Sequence, residues 1–130
     1  MTASDRAREL VLAAAEAAAE KLATDVIAID VSEQLVITDA FLLASAPGER
    51  QVASIVDSVQ ERLLALGAKP LRREGERDGR WVLLDYIDCV IHVQHADERT
   101  YYALERLWKD CPLIALPEGS RGRPRDRFDA

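Results

Sequence analysis

Cysteine, aromatic residues and long apolar runs are all scarce in this chain, and each shortage excludes something. The two cysteines, Cys89 and Cys111, sit in hydrophobic contexts without a second metal-spaced partner. They offer neither a disulfide framework nor a zinc-type ligand set, and both are expected to be reduced thiols acting as small buried hydrophobes. No stretch approaches the ~20 apolar residues that a membrane-spanning helix needs. The opening Met1-Thr2-Ala3-Ser4-Asp5-Arg6 shows no basic region followed by an apolar block, so no secretory signal is expected there and a cytoplasmic location is. No glycine-rich phosphate loop occurs, and no spacing suggests a Ser-His-Asp or Cys-His nucleophile.

What is present is enough for one folded domain. The 130 residues are 48% hydrophobic and 31% charged, which allows a real core and leaves little room for a second domain. The formal net charge of −6 is unevenly placed: the last fourteen residues carry four Arg against three acids, a net of +1, so the body carries −7. An acidic body does not suit sequence-independent binding to RNA phosphates, which needs a basic surface. It suits a basic protein partner, whose encounter complementary charge would steer.

Ser4 or Asp5 is placed to cap a helix running to about Leu22 or Ala23, with Ala7, Leu10, Val11, Ala14, Ala18 and Leu22 in one stripe. Residues 26–31 form a short β-branched strand, 32–34 a turn, and 36–45 a second strand, antiparallel to the first because the link is short. A helix over 49–66 carries Val52, Ile55, Val56, Val59, Leu63 and Leu66, and Gly67 stands just past its end. The chain then enters a strand over 69–74. A crossover of this length makes the strands on either side of the helix parallel. A polar hairpin loop over 75–80 leads to a strand at 81–86, a tight corner at Ile87-Asp88, and a last strand at 89–95. Asp97 is read as the cap of a closing helix whose apolar side holds Tyr101, Leu104, Leu107 and Trp108. The Gly/Pro/Arg-rich residues 117–130 read as a disordered tail beyond a domain of residues 1–116. The expected fold is α/β, a single domain with a mixed sheet of about five strands and three helices.

A set of local strings resembles the Iojap-like ribosomal silencing factor family. Asp30-Val31-Ser32, residues 38–45 (TDAFLLAS) and Arg50-Gln51-Val52 are similar to its first half. Glu74-Gly75, residues 79–86 (GRWVLLDY), Asp88 and Val90-Ile91-His92-Val93 are similar to its second half, and residues 99–110 (RTYYALERLWKD) to its closing helix. The match runs over roughly residues 5 to 112 in register. Any one string is weak; their order and spacing together are specific. The chain departs from the family pattern at Ala40, where an aromatic is usual, and at Ala46 and Ile87, where glycine is usual. The resemblance implies a nucleotidyltransferase-like topology without that activity. It also implies a homodimer, and a factor that binds ribosomal protein L-fourteen on the large subunit, blocks subunit association and represses translation under nutrient limitation.

Several side chains invite chemistry. Asp85 and Asp88 could hold a metal in a nucleotidyltransferase-like enzyme, the main alternative function, but the Gly-Ser phosphate-binding signal and Asp-x-Asp pair of such sites do not accompany them. Asp30 and Asp39 could face each other across the first hairpin, where turn and capping roles compete. Strand alternation puts Cys89 and His95 on one face and His92 on the other, so these three do not converge on a metal. No catalytic residue, cofactor or metal is expected, and no DNA or membrane partner.

The aromatics are most of the remaining signal: Trp81, Tyr86, Tyr101, Tyr102 and Trp108 come from a total of only seven. Adjacent Tyr101 and Tyr102 lie about 100° apart around a helix, so both cannot be buried in a thin domain. Exposed aromatics beside acids suit a protein-binding hot spot. The expected partner surface is therefore Trp81, Asp85, Tyr86, Asp88, Tyr101 and Tyr102. A generic dimeric adaptor is the looser alternative.

Overall fold

The structure is a computed structural model, and it describes residues 2–124. Helix α1 spans Asp5–Glu20 and is capped by Ser4, whose Oγ accepts from the Ala7 amide at 3.0 Å. Its buried face is mostly alanine (Ala7, Ala14, Ala15, Ala17, Ala18), which lets it lie close against its neighbours. Helix α2, Glu49–Ala65, buries Val52, Ile55, Val56, Val59 and Leu63, five of the six stripe positions expected. Gly67 follows at φ +80 while the Ala68 amide reaches back to Leu63 O at 2.9 Å, the left-handed ending that a glycine permits. No helix among the described residues is long and apolar enough to cross a membrane.

The strands are β1 Thr24–Asp30, β2 Ala40–Ala46, β3 Arg72–Glu74, β4 Trp81–Asp85, β5 Cys89–His95 and β6 Leu113–Ile114. They form one sheet in the order β3-β4-β5-β2-β1-β6. Strands β1 and β2 are antiparallel, as expected; β2 and β5 are the parallel pair, in register from Ala40↔Cys89 to Ala46↔His95. Strand β3 is antiparallel to β4, which is antiparallel to β5, so the crossover through α2 does return a strand parallel to β2, three places away.

Four differences from the sequence reading have physical causes. Strand β2 starts at Ala40, because the Asp30 carboxylate winds the chain after β1 by accepting from Ser32 N and Ser32 Oγ, leaving Val36 and Ile37 exposed in a loop. The closing helix is broken into α3, Ala96–Tyr102, and α4, Leu104–Leu107, at Ala103, which takes left-handed angles of φ 47 and ψ 54. Its cap is His95 rather than Asp97: His95 Nδ1 accepts from the Asp97 amide at 3.1 Å. A sixth strand, β6, pairs antiparallel with β1.

The chain beyond residue 116 is also not the loose tail its composition suggests. Arg121 O and Arg123 O accept from the Val26 and Asp25 amides at 2.8 and 2.7 Å, and the Arg123 amide donates to Ala23 O at 2.9 Å. At Gly122, φ +73, an added Cβ would meet Ala23 O at 2.5 Å, so the close approach requires glycine. These are backbone bonds to the start of β1, which composition does not reveal. The remainder of the expected tail, residues 125–130, lies outside the described residues.

Candidate functional site

Strand alternation divides the sheet into two unlike faces. Ala28, Leu42, Ala44, Val82, Leu84, Cys89, Ile91 and Val93 belong to the main core, which also holds the buried faces of α1 and α2. Ile29, Val31, Phe41 and Leu43 form a smaller cluster on the second face, packed by Val90, Leu104, Trp108 and Cys111. Trp81, Leu83 and Asp85 alternate with core residues Val82 and Leu84 along β4, so they point to this second face.

Here the structure assembles an aromatic cluster. The Trp81 and Tyr102 rings are 4.8 Å apart, and Tyr101 meets Tyr102 edge-on at 4.9 Å. Tyr101 is 74% and Tyr102 52% exposed. Arg80 holds α3 at this distance from β4: its Nη2 and Nε reach Glu98 Oε1 at 2.7 and 3.1 Å. Trp81 is fixed from below, its Nε1–H donating to His92 Nδ1 at 3.1 Å, and the His92 ring stands edge-on to Phe41 at 5.0 Å. Phe41 in turn meets Trp108 at 5.4 Å.

The acids lie farther along the same strand. Asp85 is four residues from Trp81, about 13 Å at strand rise, with half-buried Leu83 between them. Both Asp85 oxygens are engaged within the chain: Oδ1 accepts from the Ile87 amide at 2.9 Å, and Oδ2 is 3.4 Å from Arg72 Nη2. The Ile87 amide bond stabilises a corner in which Ile87 itself has φ 72, the left-handed angle that a glycine would take more easily. Asp88 follows just before β5, half-buried, its carbonyl accepting from Asp39 N at 3.1 Å. Four of the six expected residues thus lie along one strip of the second face: Trp81, Tyr101 and Tyr102 at one end, Asp85 toward the other, with Asp88 at the corner beyond it.

Tyr86 does not join them. It is 5% exposed and belongs to the core beneath the opposite face, with Val82 and Leu84. Burial pushes its phenol up to about 12. The reason is the period of two: a residue one step beyond Asp85 must turn away from it.

The other candidates settle into structural roles. The Asp30 carboxylate accepts from Ser32, from the Ala3 amide at 2.9 Å and from Thr2 Oγ1 at 3.2 Å. Burial pushes its carboxyl up, but these hydrogen bonds together outweigh it and leave it below the ordinary carboxylate range. Asp39 Oδ2 accepts from the Ser4 amide at 2.9 Å, so both aspartates pin the start of α1 rather than each other. Cys89 and Cys111 are free thiols, and burial raises the Cys89 thiol to about 12. No group of three or more His, Cys, Asp or Glu among the described residues could hold a metal ion.

Sequence reasoning missed two residues that support the cluster. Arg99 is 1% exposed, with Nε 3.0 Å from Glu105 Oε2, Nη1 3.3 Å from Ser45 Oγ and Nη2 2.7 Å from Asp25 O. His92 was read only as a non-ligand, yet it orients Trp81. Burial first, and then the Arg99 charge, lowers His92 to about 4. The imidazole is therefore neutral in the fold, with Nδ1 free to accept from Trp81 and the proton on Nε2.

This makes the domain acid-sensitive in a defined window. With a folded pKa of about 4 against an unfolded 6.5, the unfolded chain binds the extra proton as pH falls between those values. The stabilisation is complete above 6.5 and is lost on the way down to about 4, a loss of about 3 kcal/mol at ~1.4 kcal/mol per unit. Urea midpoints measured across this range should fall in the unaltered protein and much less in His92→Phe. Equal slopes in the two proteins would rule His92 out as the cause.

Comparisons with known proteins agree with this geometry. A family model described as "ribosomal silencing factor during starvation" matches residues 4–130. The chain is 39% identical to the ribosomal silencing factor RsfS of Bacillus subtilis over 106 residues, covering 82% of this chain and 90% of that one. It is 29% identical to the chloroplastic Iojap protein of Zea mays, covering 79% of this chain and 45% of that one. A crystal structure of a Chromobacterium violaceum protein superposes with a TM-score of 0.75 at 34% identity, covering 78% of this chain and 84% of that one. One from Bacillus halodurans does so with a TM-score of 0.73 at 37% identity, covering 83% and 98%. Matched along nearly its whole length in sequence, and by solved folds over most of it, this chain belongs to the ribosomal silencing factor family.

Proposed function

We propose that the protein docks on the large ribosomal subunit through ribosomal protein L-fourteen, blocks association with the small subunit and so represses translation under nutrient limitation. It would do so in the cytoplasm, by occupying a surface rather than by catalysis. The observation that carries this reading is the exposed stack of Trp81, Tyr102 and Tyr101, continued along β4 by Leu83 and Asp85. Half-exposed aromatics held by buried partners supply contact area at little entropic cost, which is how binding hot spots are built. The acidic balance of the chain, −6 in all, favours a basic partner and a fast, salt-sensitive encounter.

The test is co-sedimentation of the purified protein with isolated large subunits at increasing salt. Binding at low salt that weakens steadily as salt rises is expected, because screening shortens the range of charge attraction. No binding at low salt would overturn the reading. Self-association into a homodimer belongs to the same proposal, and light scattering should then report about twice the 14.4 kDa chain mass.

A further inference from the structure

We propose that the α3–α4 segment is a hinged cover over the second sheet face, and that its opening at Ala103 regulates the docking described above. The consequence for docking rests on that functional reading; the hinge itself rests on three observations of the fold.

The first is a conflict between local preference and observed structure. Residues 96–108 contain neither glycine nor proline, and position 103 is alanine, the strongest helix former. Yet Ala103 adopts φ 47 and ψ 54, where its Cβ crowds the following carbonyl. Local sequence asks for one continuous helix, and tertiary contacts impose a bend. Such disagreements gather at strained or functional positions.

The second observation is what imposes the bend. Leu104 and Trp108 pack on the cluster of Ile29, Val31, Phe41 and Leu43, and the Arg99–Glu105 ion pair, at 3.0 Å, spans the break. Helical angles at Ala103 would carry α4 onto the axis of α3 and lift Leu104 and Trp108 away from Phe41. Helix α3 would stay in place, because Arg80 ties its first turn to the root of β4. The Trp81–Tyr102 stack would then survive opening and be extended by Phe41 and Leu43.

The third is that the closed cover leaves a polar group beneath it unsatisfied. His92 is buried on this face, its ring edge-on to Phe41, which Trp108 covers. The His92 Nε2 has no hydrogen-bond partner among the described residues. Burying such a group unpaired is unfavourable, so the closed state forgoes a hydrogen bond that a docking partner's polar group could supply. The closed form is thereby poised rather than locked.

Full-length protein labelled with 5-fluorotryptophan gives the readout, since Trp81 and Trp108 are the only two indoles and Trp81→Phe assigns the fluorine signals. Ala103→Gly removes the left-handed penalty and disfavours a continuous helix, both of which favour closure. It should reduce the open population of Trp108 about tenfold. Glu105→Gln weakens the pair across the bend and should raise that population. Affinity for large subunits should follow in the same directions, because apparent affinity scales with the competent fraction. Identical Trp108 signals in the unaltered protein, Ala103→Gly and Glu105→Gln would overturn the hinge. Shifted signals with unchanged affinity would overturn its regulatory role. Failure of the unaltered protein to bind subunits would overturn the docking reading and the regulation built on it, while the Trp108 signals alone would still decide whether the hinge exists.

Discussion

Replacing Tyr86 with alanine lowers the unfolding free energy by about 3–5 kcal/mol, the range for truncating a buried aromatic. The side chain is 5% exposed and packed within the main core, so the loss combines transfer of a large apolar group with the cavity left behind. Tyr86→Phe behaves oppositely. The hydroxyl is buried without a hydrogen-bond partner among the described residues. Removing it costs no bond and takes away a desolvated polar group, so stability stays level or rises by about 1 kcal/mol. Urea denaturation of the two variants checks both values. A folded Tyr86→Ala variant of unchanged stability would place Tyr86 outside the core.

The second large effect concerns docking. Tyr102→Ala removes the half-exposed ring that stacks on Trp81 at 4.8 Å, and it weakens binding to large subunits by at least tenfold. Because the side chain is 52% exposed, the fold should tolerate the change to within about 1 kcal/mol. Asp88→Arg acts differently. It places a cation toward a basic partner, so its effect is largest at low salt and shrinks as salt rises. Asp85 is a poorer probe, since its carboxylate also supports the corner through the Ile87 amide and pairs with Arg72. Trp81 is a poorer probe for a similar reason: removing it leaves His92 Nδ1, deep beneath the cover, without its donor. Equilibrium sedimentation with Tyr102→Ala and Asp88→Arg separates contact area from charge.

These predictions also mark where the sequence was legible. The α2 stripe and its glycine ending, and the span of β5, could all be read from periodicity and turn chemistry, because each is a local preference that the fold respects. Tyr86 was misplaced although the information was there. Strict alternation sends Trp81, Leu83 and Asp85 one way and Val82, Leu84 and Tyr86 the other, but a run that is apolar on both faces hides the period. The left-handed angle at Ile87 was legible only through resemblance, from the glycine that the family uses there. The break at Ala103 was not legible at all. It exists because Leu104 and Trp108 find a cluster contributed by β1 and β2, more than sixty positions earlier in the chain. The same holds for residues 117–124, whose polar composition reads as loose while their backbone completes the hydrogen bonding of β1. His92 and Arg99 were present as letters, and their roles came only from the face on which the fold buries them.

Surface docking through the second face is tested most directly by one titration: large ribosomal subunits against the unaltered protein and folded Tyr102→Ala, at low and high salt. Saturable binding by the unaltered protein, weaker at high salt and at least tenfold weaker in Tyr102→Ala under both conditions, is the predicted result. Binding of equal strength by the two proteins, or no binding by either at low salt, would contradict it.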